Sequence, residues 1–200
     1  MRVGIATNFA DPRDLARYHA ARARGRSESY ALSVGDNGVG APTLGAIDTT
    51  SNYGIAVPTS YLRANFGSDP AAWRTARAQI TMNGQTLQVP FIDVGPGKGP
   101  QSRGVIADLS YPLSQALGGK GWDKIQLSPL ANAGVDYTLD PDGWRAEQQG
   151  IRSNMMSEAP TPSNPALTDT QLADEIARAR AEQALSGNVD FMGTGFGNVS

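Results

Sequence analysis

The sequence predicts a mainly-β protein of short strands, with helical segments before and after them. The 200 residues include 23 glycines and 13 prolines. Glycine and proline together exceed their average share of roughly 12%, which favours short strands joined by turns. Apolar residues alternate like strands in the middle of the chain, whereas the clearest helix signals lie towards its two ends.

Composition excludes several kinds of site and partner. Lys and Arg total 17, and Asp and Glu total 19, so no nucleic-acid partner is expected. Cysteine is absent and His19 is the single histidine, which excludes disulfides, thiol catalysis and multi-histidine metal sites. We therefore predict no metal and no cofactor. Since no apolar run approaches about 18 residues, no membrane partner is predicted either.

The first 29 residues are predicted to form an N-terminal helical arm. Asp11 is the expected N-cap, with Pro12 at the first helical position and Gly25 after the end. Arginine is in excess here, which fits either a solvated helix face or an arm that docks on an acidic partner. No apolar stretch typical of a signal peptide is present in this segment.

Residues 30–130 are predicted to form the β-barrel. Residues 30–34 alternate like a strand, and Asn83-Gly84 predicts a two-residue hairpin turn because both positions of a type I′ turn need positive φ. Asp69 and Pro70 predict the start of a short helix.

The chain beyond the barrel is predicted to be less compact. Residues 131–166 are rich in turn formers and are expected to be a linker. Residues 167–200 are expected to form a C-terminal helix, begun by the capping box of Thr168 and Gln171, and a tail.

Residues 55–130 carry short motifs in a recognisable order. They are Val57-Pro58, Phe66-Gly67, the hairpin at Asn83-Gly84, Asp93-Val94-Gly95-Pro96, the segment Gly104-Val105-Ile106-Ala107-Asp108-Leu109-Ser110, and Ala116-Leu117-Gly118. This order resembles the rare lipoprotein A-like and expansin-like modules. The resemblance implies a small six-stranded double-psi β-barrel that engages peptidoglycan or another polysaccharide of the cell wall.

Asp93 and Asp108 are the first candidate catalytic residues. They end two predicted strands that flank one glycine-rich loop, so a closed barrel can bring them to one groove. A partly desolvated carboxyl there has a raised pKa and can be the general acid of glycosidic cleavage. The alternative is structural: Asp93 fixes a turn and Asp108 stabilises a helix N-terminus.

Asp48 is the third candidate catalytic residue. Active members of the family carry a Glu, an Asp and then a His in the segment that corresponds to residues 45–62, where this chain has Asp48 but neither Glu nor His. Either Asp48 or Asp36 takes over the missing role, or the barrel does not cleave.

Tyr53, Tyr111 and Trp122 are candidate substrate-binding residues because sugar rings stack on exposed aromatic faces. Their alternative place is the core.

Three functions stay open. The first is a phage virion-associated peptidoglycan module with lytic transglycosylase-like activity, in the virion or at the extracellular cell wall. The second is a structural virion or tail protein whose termini dock on neighbouring proteins. The third is a polysaccharide-binding module without catalysis.

Overall fold

Six strands form one closed barrel within residues 1–157, the part of the chain that the computed structural model describes. The strands are β1 (Arg2–Phe9), β2 (Ile55–Val57), β3 (Arg77–Met82), β4 (Gln85–Val94), β5 (Val105–Ser110) and β6 (Asp123–Leu130). The α-helices are α1 (Pro12–Ala23), α2 (Glu28–Val34), α3 (Thr59–Phe66), α4 (Pro70–Thr75), α5 (Lys98–Gln101), α6 (Tyr111–Ala116) and α7 (Pro141–Ser157), with a 3₁₀ turn at Pro42–Leu44. None of these described helices is long and apolar enough to cross a membrane. The helix predicted within residues 167–200 lies outside the described residues.

The strands follow the order β1, β5, β2, β4, β3, β6 around the barrel. β1 pairs with β5, and β2 with β4, in parallel, whereas the other pairs are antiparallel. This arrangement fits a double-psi barrel and confirms the predicted fold class, a six-stranded β-barrel with short helices.

The two parallel pairs are built alike from a repeated Gly-Ile-Ala sequence, at residues 4–6 and 54–56. In both pairs the register shifts by one residue between the Ile and the Ala. A Cβ on Gly4 would lie 2.6 Å from Ile106 Cγ2, and one on Gly54 would lie 2.7 Å from Ile92 Cγ2. A side chain at either glycine would therefore collide with an isoleucine of the neighbouring strand.

Two clusters of buried side chains lie on opposite faces of β2. Ile55 and Val57 belong to the main core cluster, together with Phe91, Leu109 and other barrel residues. Ala56 belongs instead to a second cluster, which comprises Phe9, Ala10, Ala56, Ile92, Tyr137 and Trp144. Because successive side chains in a strand point to opposite faces, Ala56 points out of the barrel.

The N-terminal segment differs from its predicted form at its first strand. Arg2–Phe9 forms β1 between β5 and β6, where a helical arm was expected. The helix start itself is confirmed: the Asp11 carboxylate accepts the N–H groups of Arg13 at 2.7 Å and Asp14 at 2.9 Å. Local capping chemistry was enough for α1, but β1 depends on partners more than a hundred residues away.

The alternating run at residues 30–34 is helix α2, and the strand prediction for it was wrong. Ser27 caps this helix by accepting the Tyr30 N–H at 3.2 Å. Tyr30, Leu32 and Val34 are 48%, 47% and 37% exposed. A short alternation of apolar and polar residues does not distinguish a strand from a helix when the apolar side chains are not buried.

The predicted linker at residues 131–166 contains helix α7, which packs on the barrel. The Asp140 carboxylate accepts the Gly143 N–H at 2.8 Å, so the turn-like Asp-Pro-Asp-Gly sequence is the start of a helix. Trp144, Gln148 and Ile151 are buried at helical spacing. Residues 141–157 form a helix because this face covers the barrel, and the rest of the predicted linker, residues 158–166, lies outside the described residues.

The predicted hairpin is confirmed and gives a direct test. Asn83 has φ 50° and Gly84 has φ 81°. We expect Gly84→Ala to lower the free energy of unfolding by about 1–2 kcal/mol, because a Cβ is disfavoured in this conformation. Nothing lies within 4 Å of the added methyl group, so packing does not contribute.

Urea unfolding measures this loss, with Gly97→Ala as the matched control. Gly97 has φ −66° and the same open surroundings, so this change is expected to be neutral or slightly stabilising. Equal losses in the two variants would contradict the backbone explanation.

Candidate functional site

Asp93 and Asp108 flank the same residue of the strand between them. Ala56 of β2 pairs with Asp93 of β4 on one side and with Asp108 of β5 on the other. Thr7 of β1 pairs with Asp108 from the far side. Two strand spacings separate the two Asp Cα atoms, which is about 10 Å. Since paired residues point to the same face, both carboxyls lie with Ala56 on the outer face of the barrel.

Asp108 has a raised pKa because it is mostly withdrawn from water. Desolvation raises its pKa from the ordinary 3.8 to about 6, and a hydrogen bond from the Thr7 hydroxyl opposes the rise. The Thr7 Oγ1 donates to Asp108 Oδ1. A Cβ on Gly95 would lie 3.0 Å from Asp108 Oδ2 and 3.6 Å from Ala56 Cβ, so the absence of a side chain there leaves room beside this oxygen.

The pKa of the Asp93 carboxyl is raised to a similar value. Desolvation is the main cause, and the negative charges of Asp36 and Asp108 add to it, which brings the pKa to about 6. Hydrogen bonds from the Val94 and Ala41 N–H groups act in the opposite direction. Two half-buried carboxyls with raised pKa values, one of which is raised further by the charge of the other, are an arrangement in which general acids are found.

Asp36 reaches this region from the loop that follows α2. Burial raises the pKa of its carboxyl, and a hydrogen bond from the Gly38 N–H, 2.7 Å long, opposes the rise. Its charge acts on Asp93 and on Asp14 of α1. Asp36 is the alternative to Asp48 for the missing catalytic role. It lies close enough to Asp93 for the charges of the two carboxyls to interact.

Asp48 is exposed and stabilises its own turn. Partial burial raises the pKa of its carboxyl, but hydrogen bonds from Ser51 and Thr50 together outweigh this and hold the pKa below its ordinary value. The Thr50 N–H and hydroxyl both donate to Asp48 Oδ1, at 2.8 Å and 2.6 Å. Such a carboxylate is ionised at neutral pH and is poorly suited to donating a proton.

The three candidate aromatic residues contact different elements. The Arg152 guanidinium of α7 lies 5.3 Å from the Tyr53 ring centre, and Gln148 bonds both backbone groups of Tyr53. Trp122 immediately precedes β6 and has Arg103 5.7 Å from its ring centre. Tyr111 is half-buried at the start of α6. Of the three, Trp122 lies nearest along the sheet to Thr7, because the next residue, Asp123, pairs with Ala6.

Thr7 is the site residue that the sequence prediction missed. It was assigned to a helical arm, although the Gly-Ile-Ala repeat directly before it marks the strand that carries it. Ser110, directly before α6, does not cap this helix with its side chain. Instead the Ser110 hydroxyl accepts the Gly54 N–H at 3.2 Å and joins β5 to β2. Within residues 1–157, no group of three or more His, Asp or Glu side chains is arranged to hold a metal ion.

The raised pKa values predict how stability depends on pH. Between about pH 4 and 6 the folded protein holds protons on Asp93 and Asp108 that the unfolded chain has released. The free energy of unfolding therefore falls as pH rises through this window, by at most about 3 kcal/mol for each carboxyl. Asp93→Asn removes one contribution, so its stability relative to wild type should be higher at pH 7.5 than at pH 4.

Urea unfolding of wild type and Asp93→Asn at pH 4 and pH 7.5 measures how their difference in stability changes with pH. Asp69→Asn is the control because its carboxylate is exposed and caps α4 by accepting the Ala71 N–H at 2.8 Å. A stability difference for Asp93→Asn that does not change with pH would contradict the raised pKa.

No protein-family model matches the sequence, and no curated protein matches it. Among solved structures the chain is similar to a Streptomyces papain inhibitor, with 18% sequence identity and a TM-score of 0.40; the match covers 64% of this chain and 93% of that one. A likeness at this level carries no conclusion about function.

Proposed function

We propose that this chain is a barrel module that binds cell-wall polysaccharide and cleaves a glycosidic bond, with Asp108 as the general acid. One observation carries the proposal: Asp93 and Asp108 flank Ala56 on the outer face, and both have a pKa of about 6. A glycosidic bond breaks when an acid protonates the leaving oxygen. A carboxyl with a pKa near 6 keeps a useful protonated fraction at neutral pH.

The surroundings of Asp108 support this role. The Thr7 hydroxyl occupies Oδ1, and Gly95 leaves space beside Oδ2. In the proposed step the Oδ2 proton passes to the glycosidic oxygen, while the bond from that oxygen to the anomeric carbon breaks and its electron pair stays on the oxygen. Water, or a hydroxyl group of the same sugar, then forms the new bond to the anomeric carbon, and its proton passes back to the Asp108 carboxylate. The Asp93 carboxylate, across Ala56, stabilises the positive charge that develops on the sugar.

Aromatic and cationic groups beside β1 support a saccharide as ligand. The Arg103 guanidinium lies over the ring of Trp122, so a cationic group and an aromatic group lie side by side near the start of β6. Sugar rings bind on aromatic faces, and guanidinium groups bind carboxylates. Peptidoglycan offers both features, so it is the proposed substrate, at the extracellular cell wall or carried on a phage particle.

The experiment is a sedimentation and release assay with purified peptidoglycan and the full chain. Co-sedimentation together with release of soluble saccharides, identified by mass spectrometry, is the expected result. Products with an internal anhydro ring identify transglycosylation, and reducing ends identify hydrolysis. Binding without release leaves a polysaccharide-binding module. If the folded protein neither binds peptidoglycan nor releases fragments, the proposal is contradicted.

The exposed apolar surface of α2 favours a second candidate, a structural protein of a virion or tail. Tyr30, Leu32 and Val34 on α2, with Val39 just beyond it, are each more than a third exposed. Tyr30 and Val34 lie one helical turn apart on the same face of α2, and neighbouring exposed apolar side chains are typical of contact surfaces. This candidate predicts that the folded protein neither binds nor cleaves peptidoglycan, so the same assay separates the two.

A further inference from the structure

A groove of about 320 Å³ opens at the start of β1, away from the candidate catalytic carboxyls. Its lining includes Arg2 of β1, Ser60, Tyr61 and Ala64 of α3, and Pro129 of β6. Arg2 is five residues before Thr7 on the same strand, a distance of about 16 Å along the chain. The groove is therefore separate from the surface around Asp108.

Tyr61 lines this groove and carries a buried hydroxyl group that is an unused hydrogen-bond donor. The residue is 6% exposed, and its hydroxyl has no hydrogen-bond partner among the described residues. The neighbouring Asn65 amide donates to the Tyr61 backbone carbonyl at 2.8 Å, and so does not satisfy the hydroxyl. Burial raises the pKa of the Tyr61 phenol, with Arg2 opposing the rise, so the hydroxyl is protonated and able to donate. A buried polar group without a partner is costly and indicates a missing acceptor.

Arg2 supplies a positive charge at the same place. Its Cζ lies 5.6 Å from the centre of the Tyr61 ring. Within residues 1–157 it forms no ion pair, and the groove lining contains neither Asp nor Glu. The groove therefore combines a guanidinium and a phenol donor with an apolar wall of Ala64 and Pro129. These groups match an acceptor that is negatively charged and attached to an apolar body.

We propose that this groove binds a small organic carboxylate. The Arg2 guanidinium pairs with the carboxylate, the Tyr61 hydroxyl donates to one of its oxygens, and the apolar body lies against Ala64 and Pro129. The site stands independently of the polysaccharide proposal, because none of its residues takes part in the candidate catalytic site.

The test is a titration of the ¹⁵N-labelled full chain with sodium butyrate, followed by amide chemical shifts. Butyramide, which has nearly the same shape without the charge, is the matched ligand control. A ligand of six heavy atoms is expected to bind in the millimolar range. We expect saturable shifts at Arg2, Tyr61 and Ala64 with butyrate and none with butyramide.

Three variants separate this site from general charge effects. Arg2→Gln should weaken butyrate binding about tenfold or more, and Tyr61→Phe by about three- to tenfold, because each removes one bond to a charged group. Arg63→Gln removes an equal charge from α3, the helix that carries Tyr61, at a position outside the groove lining, and this variant should bind butyrate as wild type does. Amide spectra of each variant report whether it is folded.

Absence of saturable shifts with wild type overturns the proposal, and so does equal binding of butyramide. Weakening by Arg63→Gln to the same extent as by Arg2→Gln also overturns it, because attraction to overall charge then explains the binding.

Discussion

Arg77→Met is expected to lower the free energy of unfolding by about 3–5 kcal/mol, because it breaks a buried ion pair and leaves its partner without a countercharge. Arg77 is 1% exposed. Its Nε and Nη2 donate to the two oxygens of Glu147, the second bond being 2.6 Å long. Its remaining donors bond the carbonyls of Arg74, Ala76 and Val135 at 2.7–2.9 Å. One side chain thus joins β3 to helix α7 and to the segment before it.

Equilibrium urea unfolding of the full chain measures this loss, with Arg145→Met as the matched control. Arg145 lies on α7 and pairs with Asp142, but both side chains are at least 70% exposed. Exposed pairs contribute little, so this change should stay within about 1 kcal/mol. Replacing Glu147 by Leu in addition to Arg77→Met should recover part of the loss, because the stranded carboxylate is then removed. Similar small losses for Arg77→Met and Arg145→Met would contradict a supporting role for the buried pair.

Asp108→Asn is expected to lower peptidoglycan fragment release about 100- to 10,000-fold, because the amide cannot donate a proton to the leaving oxygen. The fold should be retained. An Asn oxygen can still accept from the Thr7 hydroxyl, and a neutral amide avoids the desolvation that raises the Asp108 pKa. Release by mass spectrometry and urea unfolding are measured on the same preparation.

The pH profile of release distinguishes an acid from a merely structural residue. Wild-type release should fall as pH rises above about 6, where Asp108 loses its proton. Asp142→Asn, at an exposed position on α7, should release fragments as wild type does. Full release by a folded Asp108→Asn protein would exclude Asp108 as the acid. A large loss of stability in that variant would favour a structural role instead.

Local sequence was sufficient wherever a structure depends on a few adjacent residues. Asn83-Gly84 predicted its hairpin because only certain residues tolerate positive φ. Asp11 with Pro12, and Asp69 with Pro70, predicted the starts of α1 and α4 because caps act within one helical turn. The number of strands came from a family resemblance rather than from periodicity, and the closed six-stranded barrel agrees with it.

β1 could not be found from apolar alternation because its inward positions are small. Gly4 and Ala6 face the barrel interior, where a Cβ on Gly4 would lie 2.6 Å from Ile106 Cγ2, whereas Val3 is 53% exposed. The larger apolar side chain thus lies on the outer face of β1, so apolar alternation does not indicate the face that is buried in the barrel. The repeat of Gly-Ile-Ala at residues 4–6 and 54–56 is the signal that identifies this strand.

The sequence by itself determined the hairpin turn at Asn83-Gly84 and the starts of α1 and α4, since each of these follows from neighbouring residues. Its family motifs also singled out the two candidate aspartates. Only the tertiary structure decided that Asp93 and Asp108 flank Ala56, that Thr7 bonds Asp108, and that α7 is attached to β3 through Arg77 and Glu147. These pairings join residues that are tens of positions apart. They arise when the barrel closes and fixes the register of all six strands at once, and no local pattern encodes that register.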